Sequence, residues 1–427
     1  MDHKYADNFY ESTLASTVSR HSVERALDAA AAAVDCTAPA AATGAKSPAI
    51  AHWRSDSLPP AISHWRDDSD SVINRWRSDY VHPVIARWRD DSGSVLNRWR
   101  SDLGRDFLAC LGGMPWQCPL NIQRGEPKRL IANALSEVGY KGDTSARNYT
   151  RERLVFETEP GLLTPAYLLV PEGANAETPT VIALHGHGFG VADIVGLRPD
   201  GSEQAPGESG YHKAFAVALA QRGFVVIAPE LFGFGELRLT RDIKPDNPYD
   251  SSCNAVSSML FMVGRTTAGV RVNQASRCID ALTELGYAHA PVAMGISGGG
   301  LVCAYFAALD ERVSACCVSG FANTYRGCFL AMHHCIDCFQ PNLLLTADMP
   351  DILAMIAPRP MIWESGELDP IFPIAQVMEA EQIVRRMYNA YGRGDDFALD
   401  RFPLDHQIHG VVSYDFLWEH ANNPGRP

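Results

Sequence analysis

The chain lacks any long uninterrupted hydrophobic run and any basic leader at its N-terminus. No segment of its 427 residues is apolar over the ~20 residues that a membrane-spanning helix needs. The first residues are polar, and the apolar stretch at residues 26–42 is interrupted by two aspartates and a proline. We therefore expect no signal peptide, no membrane span and a cytoplasmic location.

Basic residues are also fewer than acidic ones. The chain has 37 lysines and arginines, 50 aspartates and glutamates, and a net charge of −13. This balance argues against nucleic acid or an anionic membrane as the main partner. Hydrophobic residues make up 46% of the chain, which is long enough for one large α/β domain and an appendage.

The eleven cysteines lack the spacing of a secreted disulfide framework, so we expect reduced thiols. One C-x-x-C pair, Cys335 and Cys338, follows His333 and His334. No second pair accompanies it, and a structural zinc site needs four ligands. We therefore expect no metal at this segment.

What the chain does contain is a G-x-S-x-G motif, Gly295-Ile-Ser-Gly-Gly299, at the end of an apolar stretch. In a nucleophile elbow the serine sits on a strained turn between a strand and a helix. Glycines two residues before and two after it let the strand and the helix approach closely. Ser297 is therefore the predicted nucleophile.

An upstream apolar strand, Thr180–Leu184, leads into His185-Gly-His-Gly188. Acyl transfer needs two backbone N–H groups aimed at the developing oxyanion, one after the nucleophile and one from such an earlier loop. We assign these donors to Gly298 and His187. The alternative, a zinc pair of His185 and His187, lacks a third ligand at a recognisable spacing.

The acid and the base should follow the serine in that order. A predicted strand at residues 360–364 precedes a loop that contains Glu367 and Asp369. We choose Asp369 as the acid, with Glu367 as the nearest rival. Glu364 is too close to the strand to reach a histidine.

The next predicted strand, Phe397–Phe402, runs into a loop with two histidines, His406 and His409. We assign His406 as the base because it comes soon after the strand, in the loop that should overhang Ser297. A ring nitrogen of His406 is expected within ~2.6–3.2 Å of Ser297 Oγ. His409 leads into an amphipathic segment at residues 411–418 and is interpreted as a helix-start residue.

These motifs lie among predicted strands that alternate with helices, which predicts a mostly parallel sheet flanked by helices over residues 105–427. Residues 107–150 are interpreted as a helical lead-in, and residues 321–352 as a cap over the site. The predicted strands are residues 154–157, 166–170, 180–184, 224–228, 291–296, 313–319, 360–364 and 397–402.

Seven segments together carry a family resemblance: residues 149–160, 184–188, 228–235, 295–300, 331–337, 357–360 and 364–369. They resemble the dienelactone-hydrolase-related, acetyl-xylan-esterase-like group of serine α/β-hydrolases, and the resemblance covers about three quarters of the chain. It implies the α/β-hydrolase fold, with Ser297, Asp369 and His406 as the catalytic triad.

The chain departs from this group at two places. The dipeptide Leu404-Asp405 replaces two glycines before the histidine, and Gln407 replaces a glutamate after it. Serine stands where dienelactone hydrolase itself has cysteine, so the resemblance implies an esterase. In or beside the matching segments, four residues are expected to line the substrate pocket: Phe189, Glu230, His333 and His334.

The predicted reaction is hydrolysis of a small carboxylic ester, thioester or lactone through an acyl-enzyme, with no cofactor. Cleavage of C–C or amide bonds, or acyl transfer to an acceptor other than water, would use the same triad. A third alternative is a non-catalytic scaffold that acts through its N-terminal segment.

That N-terminal segment is a different kind of sequence. Residues 1–50 are rich in alanine, with one predicted helix at residues 17–34. In residues 51–104 a Trp-Arg-(Ser/Asp)-Asp unit recurs at spacings of 12 and 11 residues, with its tryptophans at Trp53, Trp65, Trp76, Trp88 and Trp99. Each unit could make two helical turns before Asp-Ser ends it.

Such short units cannot bury their own apolar faces. We expect them to stack on one another, on the hydrolase domain or on a second copy in a homo-oligomer. A disordered extension, or a recognition segment that includes a peptide processed from the chain, are the alternatives that the sequence leaves open.

Overall fold

The structure, a computed structural model, describes residues 92–113, 118–132, 146–205, 208–244 and 247–423. The described residues from 102 onward belong to one compact unit, and residues 92–101 belong to a second. In this part of the chain, ten strands form one sheet. They are β1 (Gln123–Arg124), β2 (Lys128–Leu130), β3 (Tyr149–Glu159), β4 (Leu162–Pro171), β5 (Thr180–Leu184), β6 (Val225–Pro229), β7 (Val292–Ile296), β8 (Ala315–Ser319), β9 (Met361–Gly366) and β10 (Phe397–Phe402).

One part of the sheet is parallel and the other is antiparallel. Strands β6, β5, β7, β8, β9 and β10 lie side by side in parallel, in that order. β4 joins β6 in the antiparallel sense, β3 pairs with β4, and both β1 and β2 pair with β3. Strands β5 to β8 are buried along their whole length, as expected where helices cover both faces of a parallel sheet.

The helices of the described residues are α1 (Ser92–Cys110), α2 (Phe215–Arg222), α3 (Cys253–Met262), α4 (Thr267–Glu284), α5 (Gly298–Leu309), α6 (Met349–Ala354), α7 (Ile374–Ala390) and α8 (Ser413–Asn422). The longer of them carry polar residues on one side, and none of those described has the length and apolar character that crossing a bilayer requires.

The strand register brings the carboxyl ends of the parallel strands to one edge. Leu184 of β5 pairs with Gly295 of β7, and Ile296 of β7 pairs with Ser319 of β8. Gly366 of β9 pairs with the last residue of β10. Open α/β sheets place their ligand sites outside this edge. The loops that follow β5, β7, β9 and β10 are therefore adjacent in space.

All eight predicted strands are present, and Thr180–Leu184 and Phe397–Phe402 have the predicted bounds. The predicted helical lead-in at residues 107–150 is helical only as far as Cys110, and it is wrong over the described residues that follow. Helix α1 ends at Cys110, and two short strands, β1 and β2, follow it. Both add to the edge of the long strand β3, and pairing with a neighbouring strand overrides a weak local preference.

The repeat segment is described only at its C-terminal end, in α1. Leu96, Trp99, Leu103 and Phe107 are buried and lie at helical spacing on one face. Because this face continues, the helix runs through Asp102, and the expectation that a unit ends after two turns is wrong here. Residues 1–91, with the other four tryptophans, the predicted helix at residues 17–34 and most of the proposed oligomer contact, lie outside the described residues.

Candidate active site

Ser297 lies on a sharp turn between β7 and α5. Its backbone has φ 58° and ψ −122°, a conformation that residues other than glycine rarely adopt. A methyl group on Gly295 would overlap the Gly299 carbonyl oxygen, and one on Gly299 would overlap the Leu184 carbonyl oxygen. Both positions therefore require glycine, which is the local geometry of a nucleophile elbow.

His406 and Asp369 form a hydrogen-bonded pair. Nδ1 of His406 lies 2.6 Å from Asp369 Oδ2, and the Asp369 side chain is only 2% exposed. The other carboxylate oxygen accepts the backbone N–H groups of Ile371 and Phe372, at 2.9 and 3.0 Å. These donors fix Asp369 so that Oδ2 faces the imidazole, the arrangement by which a carboxylate orients a catalytic histidine.

The second ring nitrogen of His406, Nε2, is buried and has no hydrogen-bond partner among the described residues. The expected hydrogen bond to Ser297 Oγ is therefore not formed in this structure, and it stays a prediction for the substrate complex, where such contacts tighten. Two aromatic rings hold the imidazole: Phe372 stacks on it at 5.7 Å between ring centroids, and Tyr211 packs at 5.3 Å.

Gly320, directly after β8, lies beneath the His406 ring. Its φ is +51°, and a methyl group there would lie 2.8 Å from Cε1 and 3.0 Å from Nδ1 of the imidazole. The preceding residue, Ser319, accepts the Ser297 N–H at 3.0 Å. A glycine here lets the imidazole approach the end of β8, which pairs with the elbow strand β7.

The rival histidine and the rival acid have other partners. Nδ1 of His409 lies 2.7 Å from Asp400 Oδ2, and its ring stacks on Phe402. His409 also lies ahead of α8 without starting it, so its interpretation as a helix-start residue is wrong. Glu367 forms an ion pair with Arg401 at the surface.

Glu364 stays inside β9 and anchors the histidine loop from below. Its carboxylate accepts the Gly410 N–H at 2.7 Å, the Ser413 hydroxyl at 2.5 Å and the His409 N–H at 3.3 Å. Complete burial raises the pKa of Glu364 above its ordinary value, although these donors oppose the shift.

The loop after β5 lies against the elbow. A methyl group on Gly298 would lie 2.9 Å from Nδ1 of His187, and one on Gly186 would lie 3.0 Å from Cβ of Ser297. Neither the His187 N–H nor the Gly298 N–H donates to another described residue. The role of these two N–H groups as oxyanion donors stays a prediction.

Three residues that the sequence analysis missed hold this loop in place. The Tyr211 hydroxyl donates to the His187 carbonyl oxygen at 2.5 Å. The Gly186 N–H donates to Nε2 of His212 at 2.9 Å, and Nδ1 of His212 donates to Asp193 at 2.8 Å. Burial lowers the pKa of His212, which keeps its ring neutral in this tautomer. No motif surrounds these residues in the sequence.

No known family model matches the chain. A Bacillus subtilis (strain 168) protein named “Putative hydrolase YtaP” is 23% identical over 264 residues, which are 59% of this chain and 80% of that protein. A “putative acetyl xylan esterase” from Bacteroides fragilis NCTC 9343 has a similar structure, with a TM-score of 0.59, 16% identity and coverage of 82% of this chain and 90% of that one. A glucuronoyl esterase from Solibacter usitatus has a TM-score of 0.52, 14% identity and coverage of 75% and 91%.

Both structural similarities cover at least three quarters of this chain and at least nine tenths of the other. The chain has the α/β-hydrolase fold. The fold class predicted from the sequence, and the resemblance in fold to acetyl-xylan-esterase-like hydrolases, are confirmed. At such low identities the likeness concerns the fold alone, so the reaction of this chain has to be inferred from its site.

Two of the residues predicted to line the substrate pocket, Phe189 and Glu230, lie in the loops after β5 and β6. Glu230 is buried, with its side chain 2% exposed, and it accepts the Val191 N–H at 3.0 Å, so its contact with substrate stays a prediction. It also supports loops: a methyl group on Gly190 or Gly235 would collide with its carboxylate. Phe189 is half-buried and packs edge-on against Tyr249, and its contact with substrate stays a prediction.

The other two predicted pocket residues differ from each other. His333 is exposed, whereas His334 is half-buried and packs on Phe329 and Phe372 at 4.3 and 5.4 Å between ring centroids. Burial and the nearby imidazoles lower the pKa of His334. Its Nε2 is buried and has no partner among the described residues. His334 therefore offers a neutral ring nitrogen close to the Phe372 side of the site.

The side chain of His187, in the loop after β5, belongs to a polar cluster. Its Nε2 lies 3.3 Å from Asp337 Oδ1, and Arg271 Nη1 donates to the other oxygen of Asp337 at 2.5 Å. Partial burial alone would lower the pKa of His187, but Asp337 and the Cys253 thiol outweigh it and raise that pKa to about 10. Burial alone would raise the pKa of Asp337, but Arg271 and His187 hold it well below its ordinary value.

Proposed function

We propose that the chain is a serine hydrolase that cleaves small carboxylic esters with Ser297, His406 and Asp369. The observation that carries this proposal is where the hydrogen-bonded pair of His406 and Asp369 lies, with the imidazole over Gly320 beside the strained serine elbow. A histidine held at Nδ1 by a buried carboxylate presents Nε2 as a base. In this fold the three residues also occur in the required order along the chain.

The chemistry follows from these positions. His406 Nε2 takes the proton from the Ser297 hydroxyl as its oxygen attacks the acyl carbon, and Asp369 stabilises the imidazolium. The N–H groups of Gly298 and His187 donate to the oxyanion of the tetrahedral intermediate. His406 then gives the proton to the departing alcohol, and water releases the acyl group by the same steps in reverse.

Ester hydrolysis also agrees with the names of the similar proteins, which are “putative acetyl xylan esterase”, glucuronoyl esterase and “Putative hydrolase YtaP”. Three buried phenylalanines, Phe321, Phe329 and Phe372, form a connected aromatic cluster that reaches His406 through Phe372. This cluster holds the imidazole of the proposed base from the side of His334.

The test compares Ser297→Ala with Ser258→Ala, an exposed serine of α3 that lies outside the site. On p-nitrophenyl acetate, Ser297→Ala should lose on the order of 10⁴-fold or more in kcat, and Ser258→Ala should match the wild type. A fluorophosphonate probe should label the wild type and Ser258→Ala once per chain, and should leave Ser297→Ala unlabelled. Unchanged turnover and labelling in Ser297→Ala would remove the proposed function.

The reaction class is tested by comparing kcat/KM for matched ester, amide and 1,3-diketone substrates. We expect the ester to be preferred. An added alcohol or amine acceptor should leave the yield of free acid unchanged if water is the acceptor. Preference for the amide or the diketone, or diversion of the acyl group to the acceptor, would replace ester hydrolysis by the corresponding alternative on the same triad.

A further inference from the structure

Four side chains with metal-binding atoms meet at the loop after β5. His187 comes from the loop after β5, Cys253 is the first residue of α3, and Cys335 and Asp337 come from the segment between β8 and α6. One ligand atom from each lies within 4.8 Å of all the others. Three stretches of chain that are remote in sequence therefore converge on one point.

The spacing of these atoms suits a tetrahedral ion. Zn–N and Zn–S distances of about 2.0–2.3 Å place the ligand atoms of such a site ~3.3–3.8 Å apart. The His187 Nε2 to Asp337 Oδ1 distance, 3.3 Å, already has this value. The full set needs shifts of about 1 Å or less to close around an ion.

The types of ligand also select among metals. Two thiols, one imidazole and one carboxylate suit zinc, whereas calcium and magnesium take oxygen ligands. All four positions of a tetrahedron are supplied by the protein, which is the pattern of a structural site. A catalytic zinc would keep one position open for water.

Arg271 completes the surroundings of the cluster. It donates through Nη1 to Asp337 Oδ2 at 2.5 Å and through Nη2 to Cys253 Sγ at 3.2 Å, and the Phe232 carbonyl oxygen holds its Nε at 2.9 Å. Partners of this kind orient metal ligands. Two thiolates and one carboxylate carry three negative charges, and a divalent ion with Arg271 carries three positive ones. The buried site would then be neutral, which avoids the cost of an uncompensated buried charge.

We propose that His187, Cys253, Cys335 and Asp337 bind one zinc ion in a closed, four-ligand structural site. The sequence argued against zinc because a third ligand for His187 and a second pair for the C-x-x-C were missing. The fold supplies them from remote segments, and it uses Cys335 of the C-x-x-C without Cys338. Such an ion would link the segment that carries His334 to the loop that carries the His187 N–H. That consequence for catalysis rests on the proposed function, and the binding of zinc does not.

The first measurement is made on the full-length wild type. Elemental analysis of protein purified without chelator should find about one zinc per chain. After removal of that zinc by a chelator, a Co²⁺ titration should produce the intense visible bands of tetrahedral Co²⁺ and a thiolate-to-cobalt charge-transfer band, saturating at about one equivalent. Circular dichroism before and after removal checks that the protein under titration is still folded.

The second measurement uses matched cysteine variants. Cys335→Ser and Cys253→Ser should bind Co²⁺ more than about 100-fold more weakly and should lose charge-transfer intensity. Cys338→Ser, the other half of the C-x-x-C, and Cys118→Ser, a half-buried thiol elsewhere, should keep the wild-type spectrum. Cys335 is the less buried of the two ligand cysteines, so its variant gives a folded sample if Cys253→Ser does not fold.

Two results would overturn the proposal. One is a folded wild type that holds no zinc and gives no thiolate–cobalt band, with Cys253 and Cys335 titrating as free thiols or found joined as a disulfide. The other is loss of the band in Cys338→Ser with its retention in Cys335→Ser. Ser297→Ala should bind the metal like the wild type, so a failure of the zinc site and a failure of the esterase proposal are separable.

Discussion

Two histidines that lie three residues apart in the same loop each pair with a carboxylate, and the two pairs are nearly identical in geometry. His406 lies 2.6 Å from Asp369, and His409 lies 2.7 Å from Asp400. Both carboxylates are almost fully buried, and each ring stacks on a phenylalanine. The distance between an imidazole and a carboxylate therefore does not distinguish a catalytic pair from a structural one.

The difference lies in what surrounds each pair. Asp369 follows β9 in a loop at the carboxyl edge of the sheet, and His406 packs over Gly320 beside the elbow strand. Asp400 belongs to β10 itself, and the backbone of His409 is tied to Glu364 within β9. We therefore propose a catalytic role for the pair of His406 and Asp369, and a role in anchoring the loop for the second pair. Each prediction below compares the two pairs.

The largest effect is expected from removing the imidazoles. His406→Ala should lower kcat for an activated ester by on the order of 10⁴-fold or more, because Ser297 loses its base. His409→Ala should stay within a few-fold of the wild type. The two variants are compared by steady-state kinetics, with circular dichroism as the check on folding. The reverse order of activities would move the base to His409.

The carboxylates give the next largest contrast. Asp369→Asn should cost on the order of 10³–10⁴-fold in kcat, because the amide no longer favours the tautomer and the cation that the base needs. Asp400→Asn should retain most of the activity. If both substitutions were equally harmless, both histidine–carboxylate pairs would be structural and the triad assignment would be wrong.

Stability should rank the pairs in the opposite order. His409→Ala leaves the Asp400 carboxylate, 8% exposed, without its imidazole, and an unpaired buried group costs about 1–3 kcal/mol. His406→Ala should cost less, since two backbone N–H groups still hold Asp369. Urea denaturation at equal protein concentration measures both. A larger loss of unfolding free energy in His406→Ala would contradict the anchoring role of His409.

The smallest effect concerns Glu364, which is tied to the loop of both pairs. Its pKa is raised by burial, so the fold favours its protonated form. The stabilisation that this preference gives is complete below the ordinary pKa and is lost as the pH rises through the raised one. The unfolding free energy of the wild type relative to Glu364→Gln should therefore fall with rising pH in that interval. Glu367→Gln, an exposed ion-paired glutamate, is the control, and parallel curves for wild type and Glu364→Gln would contradict the shift.

Much of the fold and the proposed triad could be predicted from the sequence because their signals are local. Buried parallel strands are short apolar runs, so β5 and β10 could be bounded to the residue. The elbow is written into five consecutive residues around Ser297. The order of elements in the fold then narrowed the acid and the base to a few candidates, of which Asp369 and His406 are hydrogen-bonded in the structure.

What could not be predicted depends on contacts between distant segments. Tyr211 and His212 support the loop after β5 from a stretch of sequence without any motif. Asp400 could not be recognised as the partner of His409. Cys253 and Arg271 join His187 only through the packing of α3 and α4 against the loop after β5. Spacing along the chain carries no signal for such meetings, since each partner has ordinary neighbours in sequence.

Gly320 is chemically inert, yet it has a consequence for how the site tolerates change. The surface under the imidazole is made of bare backbone, so the smallest possible side chain at this position would occupy the space of the ring itself. One methyl group could thus tilt the base out of line with the serine while every reactive atom stays present. Under the proposed function, activity would then depend on a residue that no inventory of reactive groups includes, and a search for active relatives should ask for glycine at this position as firmly as for the serine.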